Sequence, residues 1–266
     1  MTDELDRLVQ EVLRSRNYRS VSDDLVRDIG ARELEHRRSL KEAVKATKNK
    51  LHQIGGAYLD RGTDYERWLK KLKGAASEDP QTFRAACRRV MGYHASTRER
   101  LPILDRFYAE ILGSLPPIDS VLDIACGLNP LAIPWMPLSP GATYLACDMY
   151  TDLVEFLNGF FSIAEVNGCA IACDIVRAVP QEKVDVAFIL KTIPCLDQLD
   201  KTAAFRLLDS VNADHLFISF PVRSLCGKVK GMAANYDARF LELTAVRDWE
   251  VRRFEFETEL AFLIRR

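Results

Sequence analysis

Four polar residues stand where apolar runs of this 266-residue chain stop: Gly127 after VLDIAC, Asp148 after ATYLAC, Asp174 after CAIAC and Lys191 after VDVAFIL. An acid about 20 residues past a glycine turn can hold ribose hydroxyls, and Asp148 stands at that distance from Gly127. A further acid at the next strand end, Asp174, suits an adenine amino group. Together they describe an adenosine pocket. The turn itself reads Ala125-Cys126-Gly127-Leu128-Asn129-Pro130. Its small residues allow a close pass of backbone. It has one glycine where a dinucleotide site wants three, and a proline where a phosphate-binding helix would begin. A pyrophosphate is a poor fit. S-adenosylmethionine, which has no phosphate, fits better. The plainer alternative is a tight turn with acids at strand ends and no ligand.

These residues need a parallel sheet to bring them together. From about residue 101 strand-like runs alternate with helices. The strand runs are SVLDIA, ATYLACD, CAIACD, VDVAFILK and HLFISFP, then a closing pair, WEVRRFEFE and TELAFLIRR. The early runs are apolar on both faces, as parallel strands covered by helices should be. Helices are expected over RLPILDRFYAEILGSL, DLVEFLNGFFSIAEVNG and LDQLDKTAAFRLLDSV. The fold class is therefore α/β, a doubly wound sheet whose last two strands form an antiparallel pair. In such a sheet ligands bind beyond the carboxyl ends of the strands, where the four polar residues lie.

The first hundred residues show helical spacing and no strand pattern. DELDRLVQEVL, SDDLVRDIGARELE, SLKEAVKATKNKL, GTDYERWLKKL and EDPQTFRAACRRVM read as helices with cap-like starts. The expected division is a helical, basic unit over 1–100 and an α/β unit over 101–266. Net charge is −1, but residues 1–97 carry 20 Lys+Arg against 15 Asp+Glu, and residues 98–266 carry 17 against 23. That split suits a basic docking module on a more acidic body. Arg38, Lys41, Lys45 and Lys48 form a stripe at helical spacing, and Arg84, Arg88 and Arg89 add to it. A charge stripe alone is more often a solvated helix face. MTDELDRLVQ lacks the basic start and apolar run of a signal peptide, and no run approaches the roughly 18 apolar residues of a membrane span. The seven cysteines are odd in number and form no CxxC, so neither a disulfide framework nor a metal site is expected. A reducing cytoplasm is the expected location.

VLDIACGLNPLA, HASTRERL, KLHQIGGAY, SFPVRSL with KGMAANY, and TELAFLI together resemble the aminoglycoside-resistance 16S rRNA methyltransferases that modify N7 of guanine 1405 in the decoding site. The likeness runs from the NYRS segment to the last strand. It implies a Rossmann-like class I S-adenosylmethionine-dependent core, a helical N-terminal domain that docks on the 30S subunit, and antibiotic resistance as the outcome. It assigns Gly127, Asp148, Asp174 and Ile175 to the cofactor, beside Ala125 and Lys191 from the strand ends. It adds His94, Thr97 and Arg98, the arginine gripping the methionine carboxylate as a fork. A capped helix start explains HASTRER equally well. In the SFPVRSLCGKVKGMAANY segment, Arg223, Lys228 and Lys230 can meet phosphates. Ser219, Met232, Asn235 and Tyr236 sit where a flipped base would enter. Glu259 is a candidate acceptor for the guanine N1 and N2 edge, or else a strand-end surface charge.

N7 of guanine already offers a lone pair, so no general base is needed and catalysis rests on positioning. No Asp/Asn-Pro-Pro-aromatic loop, the mark of exocyclic-amine methylation, follows the fourth strand. Lys191-Thr192-Ile193-Pro194-Cys195 follows instead. The family normally has aliphatic residues in place of Thr192 and Cys195. A Pro-Cys pair also serves cytosine C5 methylation, where a thiolate attacks the base, so Cys195 is a rival nucleophile. Two further alternatives are a small-molecule methyltransferase whose N-terminal helices form a lid, and a non-catalytic binding protein. An enzyme modifying adenine 1408 would lack the long helical N-terminus.

Overall fold

Short polar side chains start most of the N-terminal helices. The structure, a computed structural model, describes residues 2–56, 63–222 and 232–266. α1 spans Thr2–Leu13, α2 Asp23–His36 and α3 Leu40–Leu51, and α3 runs into a π-helical turn, His52–Gly56. Ser39 caps α3 by accepting from the Glu42 N–H. α4 (Tyr65–Ala76) is capped by Asp64, and α5 (Pro80–Met91) by Asp79, with Pro80 in the first turn where no donor is missed. The short α6 (Ala95–Arg100) and α7 (Leu104–Leu112) lead into the sheet.

The strands are β1 (Ser120–Ile124), β2 (Thr143–Asp148), β3 (Asn167–Ala172), β4 (Val184–Leu190), β5 (Ala213–Pro221), β6 (Glu250–Glu255) and β7 (Glu259–Arg265). Their order is β3-β2-β1-β4-β5-β7-β6. β1 to β5 are parallel. β7 lies antiparallel between β5 and β6. The antiparallel closing pair is thus present, with the later strand inserted and the earlier one at the edge. α8 (Thr151–Ile163) crosses from β2 to β3, α9 (Ile193–Leu199) and α10 (Ala203–Ser210) from β4 to β5, and α11 (Met232–Thr244) precedes β6.

Three expectations change. The helix expected over 196–211 is two helices, because the Asp200 side chain accepts from the Thr202 N–H and turns the chain there. α8 stops at Ile163, and Glu165 takes φ 53°, so Asn167 and Gly168 belong to β3. β3 is not apolar on both faces. It is an edge strand in which Ala170 is buried while Cys169 and Ile171 are exposed.

One apolar core joins the N-terminal helices, α7, α8 and one face of the sheet. It contains Leu8, Val26, Leu51, Trp68, Phe107, Phe160 and Phe188. A second core lies on the other face, under α9, α10 and α11. Backbone bonds also pin the N-terminal segment to the loop after β2: Ser22 N–H to Met149 O and Thr151 N–H to Ser20 O, each 2.8 Å. Among the described residues no helix is long and apolar enough to cross a membrane.

Candidate active site

Strand ends β1, β2 and β4 open into a cavity of about 110 Å³. It lies where the strand order reverses, between β1 and β4. Ala125, Gly127, Asp148, Asp174, Ile175, Lys191 and His94, seven of the residues expected at the cofactor, all line it. Ala125, Gly127 and Lys191 adopt φ of 52°, 51° and 58°. Left-handed backbone at two non-glycine positions marks strain held by its surroundings. At Gly127 a side chain is also excluded sterically. A Cβ there would fall 2.9 Å from the His94 ring. The small-residue turn therefore makes room for a side chain of its own chain. His94 is half-buried with its Nδ1 out of water, and desolvation, with Lys191, Arg100 and Arg98 nearby, lowers its pKa to about 3, so the imidazole is neutral at pH 7.

Three neighbouring strands each bring a carboxyl group to the cavity. Asp148 closes β2. One oxygen accepts from the Gly127 N–H at 2.9 Å, and the other from Met149 and Tyr150 N–H at 2.7 and 3.3 Å. Burial raises its pKa, and those donors oppose the rise. Asp174 lies two residues beyond β3. Its Oδ1 accepts from Val176 N–H, while its buried Oδ2 has no hydrogen-bond partner among the described residues. Asp123, on β1, is 1 % exposed. Its Oδ2 accepts from Asn129 and from the Tyr144 hydroxyl, and its Oδ1 is likewise without a partner among the described residues. Burial pushes the Asp123 pKa up to about 6. Sequence reasoning passed over Asp123, yet an acid between the aliphatics of a buried strand is itself a signal.

HASTRER divides differently from the expectation. Thr97 does not line the cavity; its hydroxyl donates to the Met91 and His94 carbonyls and fastens α6 to α5. Arg98 is exposed and donates to the Gly92 carbonyl. The arginine that lines the cavity is Arg100. Helical geometry explains the correction: residues 96 and 100 share a face, and 98 lies about 200° around the helix from 96.

Arg100 and Glu259 form a buried bidentate pair, Nε to Oε2 at 3.0 Å and Nη2 to Oε1 at 2.7 Å. Ser219 donates to Oε1 at 2.6 Å, and Lys191 Nζ sits 3.3 Å from Oε2. Each Glu259 oxygen thus has two donors, which fills its accepting capacity. Glu259 is fully buried, and although burial opposes it, Arg100 and Lys191 hold its pKa below the usual range. Neither Glu259 nor Ser219 reads a guanine edge; they fix Arg100. Lys191 also reaches Glu99 at 2.8 Å, and Arg100 donates to Asn129 at 2.6 Å and to Tyr108 at 3.2 Å. This network ties α6 and α7 to β1, β4, β5 and β7.

Tyr236 is half-buried and stacks on Phe220 with centroids 4.9 Å apart, so its ring packs against the core. Asn235 is exposed on α11. Arg223, Lys228 and Lys230 lie outside the described residues, as does the side chain of Met232. Cys195 lines the cavity from the first turn of α9, with its sulfur 3.7 Å from the Lys191 carbonyl.

The basic residues separate into two groups. Lys41 and Lys45 are exposed on α3 and Lys48 is half-buried. Arg38 is exposed but precedes the helix. On α5, Arg84 donates to the Pro134 carbonyl, and Arg88 pairs with Asp105 at 2.9 Å. Both guanidiniums lie over Trp135. Arg84 and Arg89 are exposed and Arg88 is half-buried, and Arg89 shows no side-chain hydrogen bond or ion pair with a described residue. The N-terminal helices also wall the cavity, through Leu25 of α2 and through Ile54 and Gly55 of the π-helical turn.

A family model described as "Ribosomal RNA methyltransferase (FmrO)" matches residues 14–263. A Frankia casuarinae protein named 16S rRNA (guanine(1405)-N(7))-methyltransferase is 41 % identical, over 98 % of this chain and 94 % of its own length. Proteins of the same name from Micromonospora echinospora and Serratia marcescens are 36 % and 35 % identical. The former match covers 99 % of this chain and 97 % of the relative, the latter 96 % of each. Among solved structures, the 16S rRNA methyltransferase RmtF in complex with S-adenosyl-L-homocysteine superposes with a TM-score of 0.82 at 31 % identity, covering 100 % of this chain and 99 % of that one. The 16S rRNA methylase RmtB gives 0.79 at 31 %, covering 98 % of each. The chain belongs to the FmrO family of ribosomal RNA methyltransferases.

Proposed function

We propose that this protein transfers a methyl group from S-adenosylmethionine to N7 of guanine 1405 in the 16S rRNA of the 30S subunit, in the cytoplasm, and so confers aminoglycoside resistance. The observation that carries this reading is its near full-length likeness to proteins named for that reaction, across the helical segment and the sheet together.

The cavity fits the cofactor on its own chemistry. Its two partnerless carboxylate oxygens need donors, and adenosylmethionine carries donors at both ends, an adenine amino group and an ammonium. Asp174 would hold the adenine amino group, Asp148 the ribose hydroxyls and Asp123 the ammonium. Arg100 and Lys191 would set positive charge by the methionine carboxylate. When bound, the cofactor supplies a methyl group activated as a sulfonium. Residues of this chain orient the reactants and exclude water, and no side chain need remove a proton, since the N7 lone pair is available. Lys41, Lys45, Lys48 and Arg89, with Arg38, supply a phosphate-docking face on a helical unit taken as residues 1–100; Arg84 and Arg88 are engaged elsewhere. Folded RNA recognised by shape and phosphates suits such a face.

The apolar wall contributed by Leu25 and Ile54 favours the second reading, a small-molecule enzyme with a helical lid. One experiment separates the two: labelled S-adenosylmethionine offered with intact 30S subunits and with free 16S RNA, followed by mapping of the modified base. Label at N7 of guanine 1405 in 30S subunits is expected. Cofactor binding without label in either RNA would overturn the reading and favour a metabolite acceptor.

A further inference from the structure

α4 and α5 leave between them an exposed strip of cations that ends on an aromatic ring. One flank of α4 is closed by α8: Tyr65 stacks on Phe156 with centroids 5.0 Å apart, and a Cβ added to Gly159 would fall 3.0 Å from Leu69. Arg67 and Lys71 lie on the other flank, about 100° and 60° round the helix from the buried Trp68. That flank faces α5, because Trp68 meets Tyr93 just past the end of α5. On α5, Arg84 and Arg88 turn to Trp135. Arg89 leaves that side and, about one turn before Tyr93, shares its flank. Arg67, Lys71 and Arg89 are all exposed, and none has a side-chain hydrogen bond or ion pair with a described residue. The neighbouring acids do not neutralise them. Asp64 is engaged in capping α4, and Glu66 lies about 100° beyond Arg67, away from α5.

Tyr93 is 39 % exposed. One face of its ring stacks on Trp68, with centroids 4.9 Å apart and planes 14° from parallel, and Phe156 holds Trp68 edge-on at 5.7 Å. A ring backed in this way keeps its orientation and leaves its other face to water.

We propose that the groove between α4 and α5 is a second RNA-binding site, in which an unpaired base of the substrate RNA stacks on Tyr93 while phosphates beside it meet Arg67, Lys71 and Arg89. Three cations alone suit any polyanion. The flat π face among them selects one that carries planar groups, which is an RNA strand with a base out of its helix. Stacking tolerates any base, so the groove supplies grip and not sequence choice. Tyr93 immediately precedes His94, which lines the cofactor cavity, so the grip falls close to the strand ends. This inference rests on the function proposed above and adds to it a base contact outside the cavity.

The test measures affinity of the full-length protein for 30S subunits across a range of salt. Tyr93→Leu keeps an apolar cover over Trp68 and removes the π face, whereas Tyr93→Phe keeps both. The leucine variant should bind about tenfold more weakly with its salt slope unchanged, and the phenylalanine variant should bind like the parent. Arg67→Ala, Lys71→Ala and Arg89→Ala should each lower the slope of log affinity against log salt by about one. Affinity for S-adenosyl-L-homocysteine, read by calorimetry, should match the parent in all five, which a damaged fold would not allow. Ultraviolet irradiation of the complex should attach a nucleotide to the peptide that carries Tyr93. Equal affinity of the leucine and phenylalanine variants for 30S subunits would overturn the proposal, as would cross-links from this groove to a ribosomal protein in place of RNA. A protein that binds 30S subunits but methylates another base would sink the functional reading and leave the groove standing; one that binds no 30S subunits would sink both.

Discussion

Two buried acids in this site are tuned in opposite directions, and each makes a separate prediction. Glu259 stays ionised because Arg100 and Lys191 surround it, so Glu259→Gln would leave two cations without their counter-charge. Breaking one side of a buried pair costs about 3 kcal/mol or more. Urea denaturation of Glu259→Gln should show a loss of that order, and an unchanged midpoint would refute the network described here. Asp123 is raised instead, to about 6. A carboxyl group whose folded pKa lies above its unfolded value gives stability that is complete below the unfolded pKa and is lost as pH rises through the folded one. The window therefore runs from about 4 to 6, with about 3 kcal/mol at stake. His94 works the other way. Its lowered pKa takes stability away as pH falls below about 6.5, so the two nearly cancel in the unmodified protein. The difference between Asp123→Asn and the parent exposes the acid's share: relative to the variant, the parent should lose stability between pH 4 and pH 6. A difference that stays flat across that window contradicts the raised pKa.

At the scale of elements, the turn after β1 is the most constrained piece of backbone near the cavity. Gly127→Ala must carry left-handed strain and also place a methyl group 2.9 Å from the His94 ring. Gly141→Ala is the natural control, with φ 77° and no atom within 4 Å of the added carbon. Strain alone costs about 1–2 kcal/mol. The Gly141 variant should lose about that much and keep its affinity for S-adenosyl-L-homocysteine, while the Gly127 variant loses more stability and most of its affinity. Equal behaviour of the two in calorimetry would show that His94 yields freely. The parallel strands and their order of appearance were legible in the sequence, because apolar runs broken by Gly, Pro and Asp carry local information. So were the acids at the ends of those runs. What stayed illegible depends on contacts between distant elements. Nothing in WEVRRFEFE says that the following strand will insert between it and β5. Nothing in TELAFLI says that Glu259 will meet an arginine from α6. Arg100 could have been preferred to Arg98 from helical periodicity, but only once the cavity-facing side of α6 was known.

At the scale of the whole molecule, the N-terminal helices do two things that a simple division at residue 100 would separate. Lys41 and Lys45 face solvent, as the docking proposed above requires, yet Leu8, Val26, Leu51 and Trp68 belong to the same apolar core as the sheet. Leu25, Ile54 and Gly55 wall the cavity at the strand ends. Charge on the outside and apolar wall on the inside predict different losses. Reversing the outer charges, Lys41→Glu with Lys45→Glu, should weaken binding to 30S subunits and lower the slope of log affinity against log salt by about two. Affinity for S-adenosyl-L-homocysteine should be unchanged, since neither side chain lines the cavity. Removing the helices altogether acts on the inside. A fragment of residues 101–266 exposes one face of its sheet and lacks a wall of the cavity, so it should show no cooperative thermal unfolding and no binding of S-adenosyl-L-homocysteine. Were that fragment to unfold cooperatively and bind with full affinity, the helices would be a detachable docking module, and the shared core would be incidental to the enzyme's chemistry.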